Sequence, residues 1–199
     1  MSLADQPKSS LRERKKAKTR ATIQQNALRL FHEQGYADTT VEQIADESEI
    51  SPSTFFRYFP TKESVVLDDD YDPVIIEEFK RQPKDYSPIQ ALRGALKAAF
   101  SNFTVVERAA VRKRMELIMS VPELRAASLN QVSNTVNMIA LMIAERVGRD
   151  SSDIEVLTFA GAVIGAITSV LYYYAQNPDI KIEKAIDDTL LQLEAGFPL

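Results

Sequence analysis

Between Gly35 and Pro60 the sequence starts and stops a helix twice, and nothing else in the chain limits its fold as tightly. Gly35 stands where a helix C-cap glycine belongs, after an apolar stripe of Ile23, Ala27, Leu30 and Phe31 at helical spacing. Thr39 followed three residues on by Glu42 predicts a capping box, with Val41, Ile44 and Ala45 as the short apolar face of the helix it begins. Ser51-Pro52 is a second start, an N-cap hydroxyl followed by a proline whose missing N–H costs nothing in the first turn. Pro60-Thr61 ends that helix and caps another over "KESVVLDD". Two helices this short, joined by about three residues, have helix-turn-helix spacing. They bury too little alone, so the helix starting at Leu11 must cover them, with Phe31, Tyr36 and Phe55 as the shared core.

Beyond Asp68 the same signals predict longer helices. Ser87-Pro88 opens "PIQALRGALKAAFSNF", a further helix fits "VERAAVRKRMELIMS", and Ser120 caps the next, striped with Leu129, Val132, Val136, Ile139, Ile143 and Val147. Two more close the chain. No stretch alternates in polarity long enough to be a strand, so the fold class is all-α with about nine helices: a flexible tail at 1–10, a helix-turn-helix domain at 11–62 and a larger domain at 63–199. No cysteine is present, which removes disulfides and thiolate metal sites, and the single histidine, His32, removes His-clustered metals and serine–histidine triads. No phosphate-binding glycine motif occurs, which counts against a nucleotide-dependent enzyme without excluding one; no cofactor is expected. The N-terminal segment has no apolar stretch of the secretory kind, and a cytoplasmic location is expected.

Charge is unevenly placed. The net charge is −4, yet Lys8 to Arg20 holds seven basic residues against Glu13 alone. Residues 1–62 carry +2 and the remainder −6. A basic head on an acidic body points to a polyanion partner confined to one end.

The stretch Leu30 to Glu63, "LFHEQGYADTTVEQIADESEISPSTFFRYFPTKE", strongly resembles the TetR family of bacterial transcriptional repressors, and the similarity extends back through "TRATIQQNAL". The order of Gly-Tyr, Thr-Thr-Val, Ile-Ala, the Ser-initiated helix, Tyr58-Phe59 and Lys62-Glu63 carries it, over roughly the first third of the chain. The resemblance implies an all-α homodimer with an N-terminal three-helix DNA-binding domain and a C-terminal domain for ligand and partner. "MSVPELRA", Met119 to Ala126, is similar to a segment of an actinobacterial-type branch, some of whose members respond to acyl-CoA-like ligands. One departure stands in the turn. Where the family often has Ala-Gly-Val-Ser, this chain has Ser48-Glu49-Ile50-Ser51. Either Glu49 takes a left-handed conformation at a cost of about 1 kcal/mol, or the turn changes shape.

For DNA, a helical wheel puts Phe55 and Phe59 on the inward side and Ser53, Thr54, Phe56 and Arg57 on the other, with Ser51 and Pro52 at the helix start. That short polar face suits a major groove. Arg57 takes a guanine edge or a phosphate; Phe56 meets a thymine methyl or packs. The resemblance implies phosphate contacts from Thr40, Tyr58 and Lys62, and the basic head, with Lys15, Lys16, Lys18 and Arg20, adds salt-dependent affinity.

The resemblance also implies a cavity for an unknown small-molecule effector, apolar or acyl-type. Candidate lining residues are Phe100, Phe103, Met115, Met119, Met138, Met142, Thr158 and Tyr172, although methionines and aromatics at this spacing also make ordinary core. Arg108, Arg112, Lys113 and Arg114 either meet a phosphate or carboxylate or form a solvated face. Val156 to Ala175 carries no charge over twenty residues, long enough to span a bilayer. Its Ala, Gly, Thr and Ser content, and Gly161, Gly165 and Ser169 every four residues, fit a helix between two subunits instead, so no membrane is expected. A homodimer through the last two helices is expected, with Ile182, Ile186, Leu190 and Leu193 either in that interface or packed on their own domain. Open alternatives are a helical-pocket enzyme, with Asp68, Asp69 and Asp70 either holding a metal or forming a solvated acidic patch, an effector-free DNA-binding protein and a membrane-associated regulator.

Overall fold

A computed structural model describes residues 11–68, 71–101 and 103–198. The expected tail at 1–10, Asp69 and Asp70 lie outside the described residues. Among the described residues the chain is all-α: α1 (Leu11–Gln34), α2 (Val41–Glu47), α3 (Pro52–Tyr58), α4 (Ser64–Leu67), α5 (Asp72–Arg81), α6 (Pro88–Phe100), α7 (Val105–Ser120), α8 (Pro122–Val147), α9 (Ile154–Gln176) and α10 (Ile182–Glu194). Nine of these exceed a single turn, in line with the sequence. The chain divides into two units, Met1–Asp68 and Asp69–Leu199.

In the first unit α1 packs on α2 and α4, and α2 on α3. Ile23, Ala27 and Phe31 of α1 meet a core of Ile44, Ala45, Phe55, Phe59, Val65 and Val66, all buried. The Phe31 and Tyr36 rings lie 4.9 Å apart and those of Phe55 and Phe59 5.9 Å apart. The single-turn α4 belongs here, past the boundary expected at 62, because Val65 and Val66 fill the core and Gln24 donates to the carbonyls of Val65 and Asp68.

The cap of α3 is as the sequence predicts: the Ser51 hydroxyl accepts from the Thr54 N–H at 3.2 Å. The cap of α2 is shifted by one. Thr40, not Thr39, accepts from the N–H of Gln43, and the Gln43 side chain accepts from the Thr40 N–H at 2.8 Å. Thr39 is buried instead and donates its hydroxyl to the Gly35 carbonyl at 2.7 Å, closing the turn after α1.

The turn between α2 and α3 keeps its left-handed residue. Glu49 has φ 54, its N–H donates to the Asp46 carbonyl, and the Ile50 N–H donates to that of Ala45. These are the two bonds of a Schellman cap, built with glutamate in place of glycine. The strain sits on one Cβ, so Glu49→Gly is expected to raise the stability of this unit by about 1 kcal/mol in urea melts followed by circular dichroism. An unchanged or lowered midpoint would mean the backbone is not strained there.

The second unit pairs α5 with α6, α8 with α9 and α7, and α10 with α9 and α6. Its core draws on Phe79, Leu92, Ala95, Ile139, Ile143, Val163 and Leu190 among others. Charged side chains tie helices together over it. Arg93 of α6 reaches Asp187 at 2.9 Å and Glu194 at 3.1 Å on α10. Helix α8 begins after Val121 with no side-chain cap; Ser120, expected to cap it, donates to the Leu117 carbonyl and finishes α7. Pro122 at the first helical position makes a side-chain cap less necessary there.

Candidate nucleic-acid interface and effector domain

Helix α3 has two sides with different tasks. Phe55 and Phe59 are wholly buried and fix its orientation. Ser51, Pro52, Ser53, Phe56 and Arg57 are exposed, and Thr54 and Tyr58 are half-buried. The Ser51 hydroxyl lies 2.9 Å from that of Ser53 and 3.0 Å from that of Thr54, so three hydroxyls gather at the helix start. Phe56 is 50% exposed, and its ring stands edge-on to Phe55 at 5.5 Å. The Arg57 guanidinium lies 5.6 Å from the Tyr58 ring centroid.

Thr40 is exposed at the start of α2, and Lys15, Lys16 and Lys18 are exposed along α1. Two expected phosphate ligands behave differently. Arg20 donates Nη1 to the Tyr58 carbonyl at 2.9 Å, stacks 4.2 Å from the Phe59 centroid and approaches Asp68 at 3.7 Å. Lys62 donates Nζ to the Tyr36 carbonyl at 2.5 Å and sits 4.2 Å from the Tyr36 centroid. Both cations are therefore anchored inside the unit. Arg20 locks the end of α3 to α1, and Lys62 locks the chain after α3 to the turn after α1. The reason for Arg20 is legible in retrospect: it lies three residues before Ile23 on the apolar stripe. Beside Lys62, the Glu63 carboxyl is held below the usual carboxylate range, chiefly by its own backbone N–H and then by the Thr61 hydroxyl.

In the second unit the eight candidate effector residues are spread over α6, the loop after it, α7, α8 and α9. Met138 and Met142 line an open groove of about 480 Å³ with the apolar Ile76, Leu141 and Ala144 and the polar Lys80, Glu145, Arg149, Asp150 and Ser151. Phe100 and Phe103 form a three-ring cluster with Tyr71 at centroid distances of 5.0 to 5.8 Å. Met115, Met119 and Tyr172 are half-buried, and Thr158 is exposed on α9. Phe100 also borders a space of about 10 Å³ beside Arg93 and Glu183, room for about one water. The basic stretch of α7 is not a solvated face. Arg108 pairs with Glu183 at 2.6 Å, Arg112 stacks 4.3 Å from the Tyr174 centroid, and the Tyr174 hydroxyl donates to the Arg108 carbonyl at 3.0 Å. Lys113 is exposed. Among the described residues no cluster of His, Cys, Asp and Glu could hold a metal ion.

The α10 stripe of Ile182, Ile186 and Leu190 is buried in its own unit, with Leu193 packed against the same core. Helix α9, long and apolar enough by length and composition to cross a bilayer, turns Val156, Ala160, Val163, Val170 and Tyr174 into that core. Its other side, Ile154, Thr158, Ala162, Gly165, Ser169 and Tyr173, is exposed.

A short helix anchored by two phenylalanines, presenting hydroxyls, one ring and one arginine beside a basic helix, defines a helix-turn-helix DNA-binding regulator. Residues 23–68 match the family described as bacterial regulatory proteins of the tetR type, and residues 86–198 match the MftR C-terminal domain. Among curated proteins, the HTH-type transcriptional regulator TcmR of Streptomyces glaucescens is 33% identical, over 94% of this chain and 89% of its own length. MftR of Mycobacterium tuberculosis, described as a putative mycofactocin biosynthesis transcriptional regulator, is 29% identical over 92% and 93%. The fold is shared with FadR of Thermus thermophilus, a repressor solved with lauroyl-CoA, at a TM-score of 0.58 and 21% identity over 90% of this chain and 95% of that one. The chain belongs to the TetR family of transcriptional regulators, and it is not an enzyme.

Proposed function

We propose that this regulator is a repressor that binds a palindromic operator as a homodimer and is released by a small apolar or acyl-type effector. The observation that carries the reading is the exposed face of α3, Ser53, Phe56 and Arg57, held out by a wholly buried Phe55 and Phe59. A helix of this kind fits the major groove, with Arg57 at a base edge and Thr40, Tyr58, Lys15, Lys16 and Lys18 at phosphates. Arg20 and Lys62 serve mainly to hold α3 in place. The outer face of α9, free of charge from Thr158 to Tyr173, supports a dimer in which α9 meets its counterpart. The groove of the second unit, with Ile76, Met138, Leu141 and Met142 for a chain and Lys80 and Arg149 beside them for an anionic head, and the lauroyl-CoA bound by FadR support an acyl-type effector. By linkage, such a ligand releases DNA if it favours the arrangement that does not fit the operator. The protein acts in the cytoplasm, where its operator is.

Fluorescence anisotropy against the DNA upstream of its own gene tests this. Affinity is expected to fall steeply with salt, and saturating acyl-CoA of medium chain length to release the duplex and raise the melting temperature. Substituting Lys15, Lys16 and Lys18 by alanine should lower the salt slope by about 0.9 for each phosphate these lysines neutralise. Arg57→Ala should instead change which duplexes are preferred. No duplex preference at low salt would remove the operator reading, and release by no acyl-CoA would remove this effector class.

A further inference from the structure

We infer that Phe56 is a base-reading residue that takes the 5-methyl group of thymine in the operator's major groove. The inference rests on the DNA-binding reading above and adds one sequence preference to it. Two of the three phenylalanines of this segment, Phe55 and Phe59, are buried, as phenylalanine ordinarily is; Phe56 between them leaves 50% of its surface exposed. Its ring is held edge-on to Phe55, 5.5 Å between centroids and 88° between planes, so it projects from a fixed base. Pro52 and Ser53, four and three residues earlier on the same exposed side, are short side chains. The ring therefore stands beyond those two side chains.

A phenyl ring has no donor or acceptor. It can bond neither a phosphate oxygen nor the polar edge of a base, and it offers apolar contact alone. In the major groove each base pair presents donors and acceptors, and thymine alone adds an exposed methyl group. Among the groups a groove-facing phenylalanine can reach there, that methyl is the one whose burial is favourable. Arg57, the next residue, supplies the polar contact that Phe56 cannot.

The test uses the full chain and duplexes selected by it from a randomised library. A thymine fixed in each half-site is expected in the selected pool. Replacing that thymine by deoxyuridine removes the methyl and leaves every hydrogen-bonding group in place. Wild-type affinity should then fall about fourfold per half-site, and about fifteenfold when both are replaced, the worth of one apolar carbon each. Phe56→Ala, at a half-exposed position, should stay folded with only a small drop in melting temperature, lose the thymine from its selected pool and bind the thymine and deoxyuridine duplexes alike. Wild-type protein indifferent to the methyl at every thymine of its site would overturn the assignment, and needs no variant to be seen. A methyl penalty that persists in Phe56→Ala would overturn it too, by giving the contact to another residue. Selection of no duplex at all would remove the DNA-binding reading with it, whereas tight binding without methyl dependence removes the Phe56 assignment alone.

Discussion

Phe59→Ala is expected to unfold the Met1–Asp68 unit at room temperature and to abolish DNA binding. The side chain is wholly buried, and phenylalanine-to-alanine changes at such sites cost about 3–5 kcal/mol. A unit this small has a total stability near the low end of the usual range, about 5 kcal/mol, so most of its margin goes with one ring. The loss extends beyond the cavity. Phe59 is also the surface on which Arg20 stacks at 4.2 Å, and Arg20 holds the Tyr58 carbonyl at the end of α3. Removing the ring takes away the platform, leaving a half-buried guanidinium with one fewer partner. Full-length protein melted in urea should show one transition weakened or absent while the second unit, whose core shares no residue with this one, melts as before. Phe56→Ala, at a half-exposed ring three residues earlier, should shift the same transition by well under half as much. Equal effects of the two substitutions would show that burial does not distinguish them.

Parts of this were legible in the sequence because local chemistry decides them. Ser51-Pro52 and Ser87-Pro88 each put a hydroxyl one residue ahead of a proline, and each is an N-cap in the structure. Thr39-Thr40 is ambiguous by construction. Each threonine has a Glu42 or Gln43 three residues on, and either could form the box; burial of Thr39 against the Gly35 carbonyl decides it, and that is a tertiary fact. Charge counting found the basic head but not the direction of its side chains. Arg20 looks like Lys18 in a tally, yet one lies over a phenylalanine and the other faces water. Lys62 is hidden for the same reason, since its partner is a backbone carbonyl with no sequence signature. The effector residues were the least legible. Methionine and phenylalanine at helical spacing look the same whether they line a groove, as Met138 and Met142 do, or close a ring cluster, as Phe100 and Phe103 do.

Gly165→Arg is expected to leave the subunit folded, break the dimer proposed through α9 and cost operator affinity about 10²–10⁴-fold. Gly165 is exposed in the middle of α9, and a Cβ built on it meets nothing within 4 Å. Arginine is a far better helix former than glycine, by nearly 1 kcal/mol, so the subunit itself should gain stability. The same change sets a long charged side chain in the centre of a face that is uncharged from Thr158 through Ala162 and Ser169 to Tyr173. A second subunit could pack there only by burying that charge unpaired, which is strongly unfavourable. The two halves of the prediction move in opposite directions, higher melting temperature and weaker association, and a merely structural glycine would not produce both. Ile186→Arg gives the contrast, because Ile186 of α10 is buried in its own unit and its replacement should unfold the subunit instead. Sedimentation equilibrium on the two variants, with anisotropy on a two-half-site duplex, separates the cases. A Gly165→Arg protein that remains dimeric would move the interface off α9. One that is monomeric yet binds the full operator undiminished would detach dimerisation from DNA recognition, since two linked half-site contacts are what a pair of α3 helices adds over one.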